Sequence, residues 1–258
     1  MSSILLSISD GVGYITLNRA DKLNAFNREM ALALQHTLDD CRDNDSVRAI
    51  LISGAGNAFS AGQDLAEVAD PKGAGIDKIL SEQFNPIIVR IRNMPKPVVA
   101  AVKGVAAGAG ANIALCCDVV VAATSASFIQ AFSKIGLIPD SGGTYFLPRL
   151  IGWQKASALM MLGEKVAAQE AERMGMIYRV YPDEQLEEAS RKLASTLAAM
   201  PTLALALTKD ALNYSVHSNL DDQLKYEDKL QAIAGSSNDF AEGMSAFLSK
   251  RKPVFKGN

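Results

Sequence analysis

One acidic residue stands alone in the stretch KIGLIPDSGGTYFLPRL (134–150). Asp140 follows Pro139 and precedes Ser141 and two glycines. A carboxylate in front of a helix is a good N-cap, because it accepts hydrogen bonds from the first main-chain N–H groups. A carboxylate among apolar neighbours has a raised pKa, which suits a general base. The residues alone leave both interpretations of Asp140 open.

Two glycine-rich loops each follow an apolar run and open a helical pattern. The first glycine loop is FSAGQDL (59–65) and the second glycine loop is GVAAGAGAN (104–112). Small residues let the main chain approach a ligand closely, and helix N-termini point unpaired N–H groups outward. Two such ends meeting at one point would provide two donors for a developing oxyanion. Tight strand-to-helix packing explains the same residues, and neither loop is a GxGxxG or P-loop motif.

The composition argues against several other classes of function. The two histidines, His36 and His217, lie in helical contexts with no acids or thiols arranged around them as ligands, so we predict no metal site. The net charge is −2, which provides no basic surface for nucleic acid or a membrane. The three cysteines include no CxxC pair, and their odd count predicts buried free thiols in a reducing compartment.

The pattern along the chain predicts an α/β fold. Two strands are expected around the turn at 10–13, and a helix over 27–44 has Asn27 as its N-cap. The segment 96–123 predicts a strand, a glycine-rich turn, a helix and a second strand. Two helices follow around 141–162 and a strand near 176–182. The helical pattern over 76–94 should end or be interrupted near Pro86.

The last part of the chain reads as almost entirely helical. We therefore divide the chain into a core, 1–182, and a helical C-terminal region, 183–258. The segment PKGAG (71–75) reads as a flexible connector. The N-terminus lacks the features of a signal peptide, and Lys103, Asn112 and Asp118 interrupt the longest apolar run. A cytoplasmic protein without a membrane span is expected.

Four motifs carry a resemblance to a known family. NAFSAGQDL, AVKGVAAGAGANIALCCDVVVAA, KIGLIPDSGGTYFLPRLIG and AERMGMIYRV, in this order and spacing, resemble the crotonase superfamily, the enoyl-CoA hydratase/isomerase fold. The resemblance runs from Ile4 to FAEGMSAFLSKRKPVF near the C-terminus. It implies a crotonase-like spiral of ββα units, a helical C-terminal trimerisation region and acyl-CoA thioester substrates. No separate cofactor is implied, since coenzyme A is part of the substrate.

The same resemblance implies how the thioester is held and which acids are absent. By position in the motifs, the backbone donors of the oxyanion hole are the N–H groups of Ala61 and Ala109. Hydratases of the family use two glutamates, and the equivalent positions carry Asn112 and Phe132. These side chains cannot perform the acid–base work that hydration needs. Hydratase activity is therefore not expected.

In this context we predict that Asp140 is the catalytic base. Some family members carry an acid at this position, facing the acyl chain, and an isomerase needs only one base that reaches both carbons. Apolar neighbours, among them Ile138, Pro139 and Phe132, should raise its pKa. The segment 135–180 most resembles the isomerase branch of phenylacetate catabolism. That likeness implies conversion of ring-1,2-epoxyphenylacetyl-CoA to oxepin-CoA.

Substrate contacts are expected from three places in the chain. The loop at 18–27 should bind coenzyme A, the first glycine loop should line the site, and two aromatic residues flank Asp140. The predicted substrate-binding residues are Arg19, Lys22, Leu23, Ala25, Gln63, Asp64, Leu65, Phe132 and Tyr145. Arg19 and Lys22 are candidates for the phosphates, although a solvated basic loop explains them equally well.

Several rival functions follow from the same residues. An enoyl-CoA or dienoyl-CoA double-bond isomerase is the main alternative. Dehalogenation by a nucleophilic aspartate is discounted, because no histidine lies between His36 and His217. A non-catalytic CoA-ester or RNA binder would not need an acid at Asp140, and the charge disfavours RNA. The resemblance also implies a homotrimer or a dimer of trimers.

Overall fold

The computed structural model describes residues 2–69 and 74–258, so residues 71–73 of the expected connector lie outside the described residues. The strands are β1 (Ile4–Ser9), β2 (Val12–Leu17), β3 (Ala49–Gly54), β4 (Ala58–Ser60), β5 (Val98–Val102), β6 (Val105–Ala107), β7 (Val119–Ala123), β8 (Ser127–Ile129), β9 (Lys165–Ala167) and β10 (Arg179–Tyr181). The helices are α1 (Arg28–Asp43), α2 (Leu65–Val68), α3 (Ile76–Lys78), α4 (Asn85–Asn93), α5 (Ala109–Leu115), α6 (Gly143–Ile151), α7 (Trp153–Leu162), α8 (Ala168–Arg173), α9 (Leu186–Ala198), α10 (Thr202–Ser215), α11 (Leu220–Gly235) and α12 (Asn238–Leu248).

The strands form two sheets. The larger sheet has the order β1-β2-β3-β5-β7-β10, and the smaller sheet has the order β4-β6-β8-β9. Apart from the antiparallel pairs β1–β2 and β8–β9, neighbouring strands are parallel. The chain repeatedly places one strand in the larger sheet, the next in the smaller sheet, and then returns through helix, as in β5-β6-α5. The repeated unit is therefore ββα, and the predicted α/β class is confirmed.

The larger sheet supplies much of the hydrophobic core. Every residue of β5 (VVAAV) is buried, as expected for a central parallel strand that is covered on both faces. The edge strand β1 buries only Ile4. Helix α9 packs across β2, β3, β5, β7 and β10, so the first helix after the expected boundary at 182 packs directly on the sheet.

The interruption expected near Pro86 is a π-helical turn, Ile79–Phe84, between α3 and α4. Pro86 has no N–H, so the carbonyl of Glu82 cannot receive the usual helical hydrogen bond. The side chain of Gln35, on α1, donates to the carbonyls of Glu82 and Gln83 instead, at 2.8 and 3.0 Å. This contact fixes the widened turn against α1. The predicted N-cap of α1 is confirmed, since Asn27 accepts from the Met30 N–H at 3.0 Å.

The C-terminal region is helical, as predicted, but its last segment is two helices rather than one. Helix α11 ends at Gly235, and Ser237 caps α12 by accepting from the Phe240 N–H at 3.0 Å. The buried Lys209 of α10 ties this region to the core, because its Nζ lies 2.8 Å from Asp118. All three cysteines are free and buried, as predicted. Among the described residues, no helix is both long and apolar enough to span a membrane.

Candidate active site

A cavity of about 440 Å³ lies where both glycine loops meet the segment 76–84 and the turn before α6. The volume suits a small-molecule ligand. Its walls are mainly apolar, and its polar side chains belong to Gln63, Lys134 and Asp140. The lining residues are Ala61, Gln63, Leu65, Val68, Ile76, Ile79, Leu80, Phe84, Gly108, Ala109, Ala131, Phe132, Lys134, Ile135, Leu137 and Asp140.

Asp140 is the acid of this cavity. Burial raises the pKa of its carboxyl group above the ordinary value, and a hydrogen bond from the Ser141 hydroxyl to Oδ1, 2.8 Å long, partly opposes the effect. A desolvated carboxylate binds a proton more tightly than one in water. The structure therefore provides a carboxylate base of enhanced strength in a largely apolar chamber.

The carboxylate of Asp140 does not cap the following helix. Helix α6 begins at Gly143, and the capping position is occupied by Gly142, which has no side chain to accept a hydrogen bond. The Gly143 N–H donates instead to the main-chain carbonyl of Asp140, at 2.8 Å. The helix-cap interpretation of the Asp140 side chain is therefore wrong, and the carboxylate is available to the cavity.

The second glycine loop brings the N–H of Ala109 to the cavity. Helix α5 begins at this residue, and the first N–H groups of a helix have no partner within it. Gly108 precedes it with a φ of +51°, a left-handed conformation that favours glycine. The sequence prediction for this loop is consistent with the geometry, because a backbone donor lies in the wall beside Phe132.

The two glycine loops touch at Gly62. A Cβ at this position would lie 2.7 Å from the Ala107 carbonyl oxygen and 3.4 Å from the Ala109 nitrogen. Gly62 also has a φ of +90°. Only glycine fits both the contact and the conformation. Gly62 therefore allows the main chains of the two glycine loops to approach each other closely.

The prediction that Ala61 supplies the second oxyanion donor is wrong. Its N–H already donates to the carbonyl of Leu23, at 2.9 Å. The next N–H, of Gly62, donates to the Ser60 hydroxyl at 3.1 Å. In the part of the chain that the structure describes, the N–H of Gln63 has no acceptor. Gln63 is therefore a free donor of the first glycine loop in the cavity wall.

Three of the predicted substrate-binding residues line the cavity: Gln63, Leu65 and Phe132. Phe132 is buried beside Gly108, whereas Leu65 is exposed at 55%. The Gln63 side chain is held by Glu67, whose Oε2 accepts from Nε2 at 2.8 Å. The hydrogen bond to Glu67 thus fixes the side chain of the residue whose main-chain N–H is free.

Arg19 and Asp64 have structural roles that the sequence did not reveal. Their side chains form an ion pair of 3.0 Å, and each is only 19% exposed. Arg19 also donates to the carbonyl of Ala25, while Asp64 caps α2 by accepting from the Ala66 N–H at 3.1 Å. Both side chains thus hold the loop at 19–25 against the first glycine loop, and substrate binding by Arg19 and Asp64 stays a prediction.

The remaining residues of the expected CoA-binding loop form a 3-10 turn and its exit. Lys22 ends this turn and is exposed. Leu23 follows with a φ of +50° and a side chain that is 47% exposed, and Ala25 is buried. The main chain of Leu23 holds the first glycine loop through Ala61. Coenzyme A contacts at Lys22, Leu23 and Ala25 stay predictions.

Tyr145 lies outside the cavity, so its predicted role in the acyl pocket is corrected. Helix α6 buries Gly143 and Leu147, and Tyr145 lies between them on another side of the helix. Its hydroxyl lies 3.2 Å from His217 Nε2, and the Arg149 guanidinium stacks on its ring at 3.9 Å. Proximity in sequence to Asp140 did not give proximity in space.

The positions expected to carry hydratase glutamates are both buried. Asn112 is 1% exposed and Phe132 is 6% exposed. Neither side chain ionises, so Asp140 is the one carboxylate among the described residues of the wall. Among the residues that the structure describes, no cluster of acids, histidines and cysteines could hold a metal ion.

The far wall of the cavity was missed by sequence reasoning. Ile79, Leu80 and Phe84 of the π-helical turn line it, together with Ile76 of α3. π-helical turns often occur at functional sites. The available signal was the interruption expected near Pro86, which indicated an irregular helix but not the direction that its apolar side chains would face.

Comparisons with known proteins agree with this geometry. The chain matches the family model described as enoyl-CoA hydratase/isomerase over residues 7–258. It is 46% identical over 260 residues to the 1,2-epoxyphenylacetyl-CoA isomerase of Escherichia coli (strain K12), covering 100% of this chain and 99% of the relative. It is 44% identical over 255 residues to a Rhodobacter capsulatus protein named probable enoyl-CoA hydratase, covering 99% and 98%. A crystal structure of enoyl-CoA hydratase from Bacillus anthracis has a TM-score of 0.92 at 32% identity, covering 99% of this chain and 100% of the other.

The chain therefore belongs to the enoyl-CoA hydratase/isomerase family, and the resemblance to the crotonase superfamily is confirmed. Members of this family are enzymes that act on acyl-CoA, so the broad prediction of an acyl-CoA enzyme is also confirmed. The relatives bear both isomerase and hydratase names. The choice between these reactions has to come from the residues of the site.

Proposed function

We propose that this protein is an acyl-CoA isomerase in which Asp140 is the single proton shuttle. The observation that carries the proposal is the carboxylate of Asp140, the one carboxylate among the described residues of the cavity wall, whose pKa is raised by burial. A base that takes a proton from one carbon and returns it to another completes an isomerisation without a second acid. No atom is gained or lost, so no cofactor beyond the coenzyme A of the substrate is required.

Hydration is disfavoured by the same geometry. Adding water across a double bond requires one group to activate the water and another to deliver a proton to carbon. The positions that would carry these groups hold Asn112 and Phe132, and neither side chain can exchange a proton at neutral pH. Asp140 alone can serve only one of the two roles at a time.

The negative charge that develops on the thioester oxygen needs fixed donors. We assign these to the main-chain N–H groups of Gln63 and Ala109, one from each glycine loop. Their loops touch at Gly62, and both residues line the cavity. Preorganised backbone donors act without any rearrangement during the reaction, and removing one typically slows a reaction roughly 100- to 1000-fold.

For the substrate we propose ring-1,2-epoxyphenylacetyl-CoA, with oxepin-CoA as the product. The epoxide opens to the seven-membered ring, and Asp140 moves a proton from the carbon next to the thioester to a ring carbon. Support comes from the 46% identity to a 1,2-epoxyphenylacetyl-CoA isomerase over the whole chain. An apolar chamber with one base fits an uncharged ring better than a polar acyl group.

A second candidate is double-bond isomerisation of an enoyl-CoA or dienoyl-CoA. The favouring observation is the single base itself, since shifting a double bond needs the same removal and return of a proton. An aliphatic chain would occupy the same apolar walls, including Ile79, Leu80 and Phe84. The two candidates share a mechanism and differ only in the acyl group.

The test is an NMR assay in D2O with epoxyphenylacetyl-CoA and a 3-enoyl-CoA, comparing wild type with Asp140→Asn. We expect turnover of one or both substrates, and a loss in the variant of roughly 100- to 10000-fold in kcat. Binding of the CoA ester should survive, because the amide has nearly the same shape as the carboxyl. The preferred substrate chooses between the two candidates.

The control is Asp183→Asn, which also removes a carboxylate that accepts from a serine hydroxyl, that of Ser125. Asp183 is not among the residues that line the cavity, so this variant should keep wild-type turnover. Equal turnover by wild type and Asp140→Asn would contradict the proposal. Turnover of 2-enoyl-CoA to a hydroxyacyl-CoA would replace it with hydration.

We also propose that the protein assembles as a homotrimer or a dimer of trimers. Support comes from large apolar side chains left exposed in the C-terminal region, such as Phe247 at 81% and Leu220 at 72%. Exposed apolar surface of this kind commonly marks an interface. Light scattering coupled to size-exclusion chromatography should give three or six times 27.5 kDa, and a monomer would contradict the proposal.

A further inference from the structure

The side chain of Asn112 is fixed between two groups close to Asp140. Its Nδ2 donates to the main-chain carbonyl of Asp140 at 2.8 Å, and its Oδ1 accepts from Gln130 Nε2 at 2.7 Å. Asn112 is 1% exposed and Gln130 is 4% exposed. The carbonyl of Asp140 can only accept a hydrogen bond, so it fixes the nitrogen end of the Asn112 amide toward Asp140 and leaves the oxygen end for Gln130.

The turn that carries Asp140 is one that needs to be held. Ser141 has a φ of +50°, although it is not glycine, and Gly142 follows with +74°. A left-handed conformation is unfavourable for serine and persists when surrounding contacts impose it. Two bonds converge on the carbonyl of Asp140, one from the Gly143 N–H and one from Asn112, both 2.8 Å long.

Gly143 shows how closely the amide of Asn112 lies against the start of α6. A Cβ at Gly143 would lie 2.4 Å from Asn112 Nδ2 and 2.9 Å from its Cγ. No real side chain fits at that distance. The glycine at the first position of the helix, where alanine would otherwise be favourable, is therefore explained by the Asn112 amide.

We infer that Asn112, held between Gln130 and the carbonyl of Asp140, is a positioning residue that holds the main chain of Asp140 so that its carboxylate faces the cavity. The inference rests on the proposed function of Asp140. The position where family hydratases carry a glutamate would here hold the base of an isomerase in place. An ionised glutamate could not replace Asn112, because it has no N–H to donate to the carbonyl of Asp140.

Two variants test the inference from opposite sides. Asn112→Ala removes the donor, and Gly143→Ala keeps the amide but displaces it from the turn. A displacement of about 1 Å in a catalytic group costs on the order of 100-fold in rate. We expect each variant to lose about 100-fold in kcat with an unchanged KM, since the walls that bind the substrate stay in place.

Each variant has a matched control. Asn213 makes the same pattern of bonds as Asn112, donating from Nδ2 to the Arg92 carbonyl and accepting from the Arg92 side chain. Gly235 is also helical, and a Cβ there would meet nothing within 4 Å. Asn213→Ala and Gly235→Ala should keep the wild-type kcat, whatever their effect on stability.

The pH dependence adds a readout that general destabilisation does not move. Among the described residues, the groups near the Asp140 carboxylate are the Ser141 hydroxyl and, in the same cavity wall, Lys134. If the turn relaxes, the carboxylate gains water and its pKa falls. The lower limb of the kcat/KM profile of Asn112→Ala should therefore shift to lower pH, with no shift in Asn213→Ala.

The outcomes separate this inference from the proposed function. Wild-type kcat in Asn112→Ala, with loss in Asp140→Asn, would overturn the inference and keep Asp140 as the base. If wild type turns over neither substrate, crystal structures of Asn112→Ala and Asn213→Ala test the positioning role instead. A carboxylate turned out of the cavity in Asn112→Ala but not in Asn213→Ala would support positioning, and an unmoved carboxylate would overturn it.

Discussion

The two glycine loops look alike in sequence and differ in which N–H group they leave free. In the second loop the donor is the first residue of a helix, Ala109, and it follows directly from the start of α5. In the first loop the N–H of Ala61 donates to the carbonyl of Leu23, and the N–H of Gln63 has no acceptor among the described residues. Leu23, which accepts the hydrogen bond from Ala61, lies far from the first glycine loop in sequence.

This difference shows what a pattern of small residues can predict. Glycine and alanine indicate close approach between main chains, and the contact at Gly62 bears that out. They do not indicate which donors are already paired, because an acceptor from another segment can occupy any of them. The loop at 19–25, held by Arg19 and Asp64, supplies that acceptor here.

Among changes to the two glycine loops, the largest expected effect comes from removing the N–H of residue 63. Incorporating the α-hydroxy acid analogue of glutamine at Gln63 replaces the main-chain N–H with an ester oxygen and keeps the side chain. We expect a loss of roughly 100- to 1000-fold in kcat, because one oxyanion donor is missing. Steady-state kinetics with the better isomerase substrate measures it.

The same replacement at Ala61 is the matched control. It removes the hydrogen bond to Leu23, so the free energy of unfolding should fall by about 1 kcal/mol while kcat changes little. A large loss of kcat at Ala61 with none at Gln63 would restore Ala61 as the donor and contradict the assignment.

A second prediction separates the two loops without removing a donor. In Gly62→Ala the new Cβ would lie 2.7 Å from the Ala107 carbonyl oxygen, so the loops must move apart. We expect a fall of about 100-fold in kcat/KM, the scale for misplacing a catalytic group by about 1 Å.

Gly152→Ala controls for the strain of a positive φ, since Gly152 has a φ of +80° and a Cβ there would meet nothing within 4 Å. This variant should be less stable than wild type but keep its kcat/KM. Equal activity in Gly62→Ala and wild type would show that the contact between the loops is not needed for catalysis.

A third prediction concerns what holds the first glycine loop. Arg19→Met breaks the ion pair with Asp64, in which each side chain is only 19% exposed, and it also loses the bond to Ala25. Bonds to charged groups typically contribute about 1.5–3 kcal/mol, so the urea midpoint should fall clearly. Lys22→Met, on the exposed neighbour, should leave the midpoint unchanged and raise KM for the CoA ester if Lys22 binds phosphate.

The smallest effect is expected from Tyr145→Phe. Its hydroxyl contacts His217 at an exposed site outside the cavity, so kcat and KM should equal those of wild type and stability should change by less than about 1 kcal/mol. A specific loss of kcat would show that Tyr145 reaches the substrate after all.

Much of the fold could be predicted because its signals are local. The alternation of strands and helices, the Asn27 cap and the interruption near Pro86 all depend on neighbouring residues. The last predicted helix is two helices in the structure. Helix α11 ends at Gly235, and the side chain of Ser237 caps the start of α12.

The site was only partly predictable because its contacts join distant segments. Asp140, Phe132 and Ala109 were identified from motifs, and the cavity brings them together. The pairing of Ala61 with Leu23 and of Arg19 with Asp64 depends on tertiary packing. Likewise, the direction of Tyr145 depends on where α6 begins, which is set by Gly143 rather than by Asp140.

The central claim is that one carboxylate, Asp140, removes the proton next to the thioester. Phenylacetyl-CoA tests this step alone, since it carries those protons and has neither an epoxide nor an isolated double bond to move. Burial raises the pKa of Asp140, and the base works when ionised. Exchange should therefore increase as the pH rises through that raised pKa, above the ordinary aspartate range.

The most direct measurement is the rate at which phenylacetyl-CoA exchanges its α-protons for deuterium in D2O, for wild type and Asp140→Asn. We predict exchange catalysed by wild type and a loss in the variant of roughly 100- to 10000-fold, with CoA-ester binding retained. Exchange at the same rate in Asp140→Asn would contradict the account, because another group would then be the base.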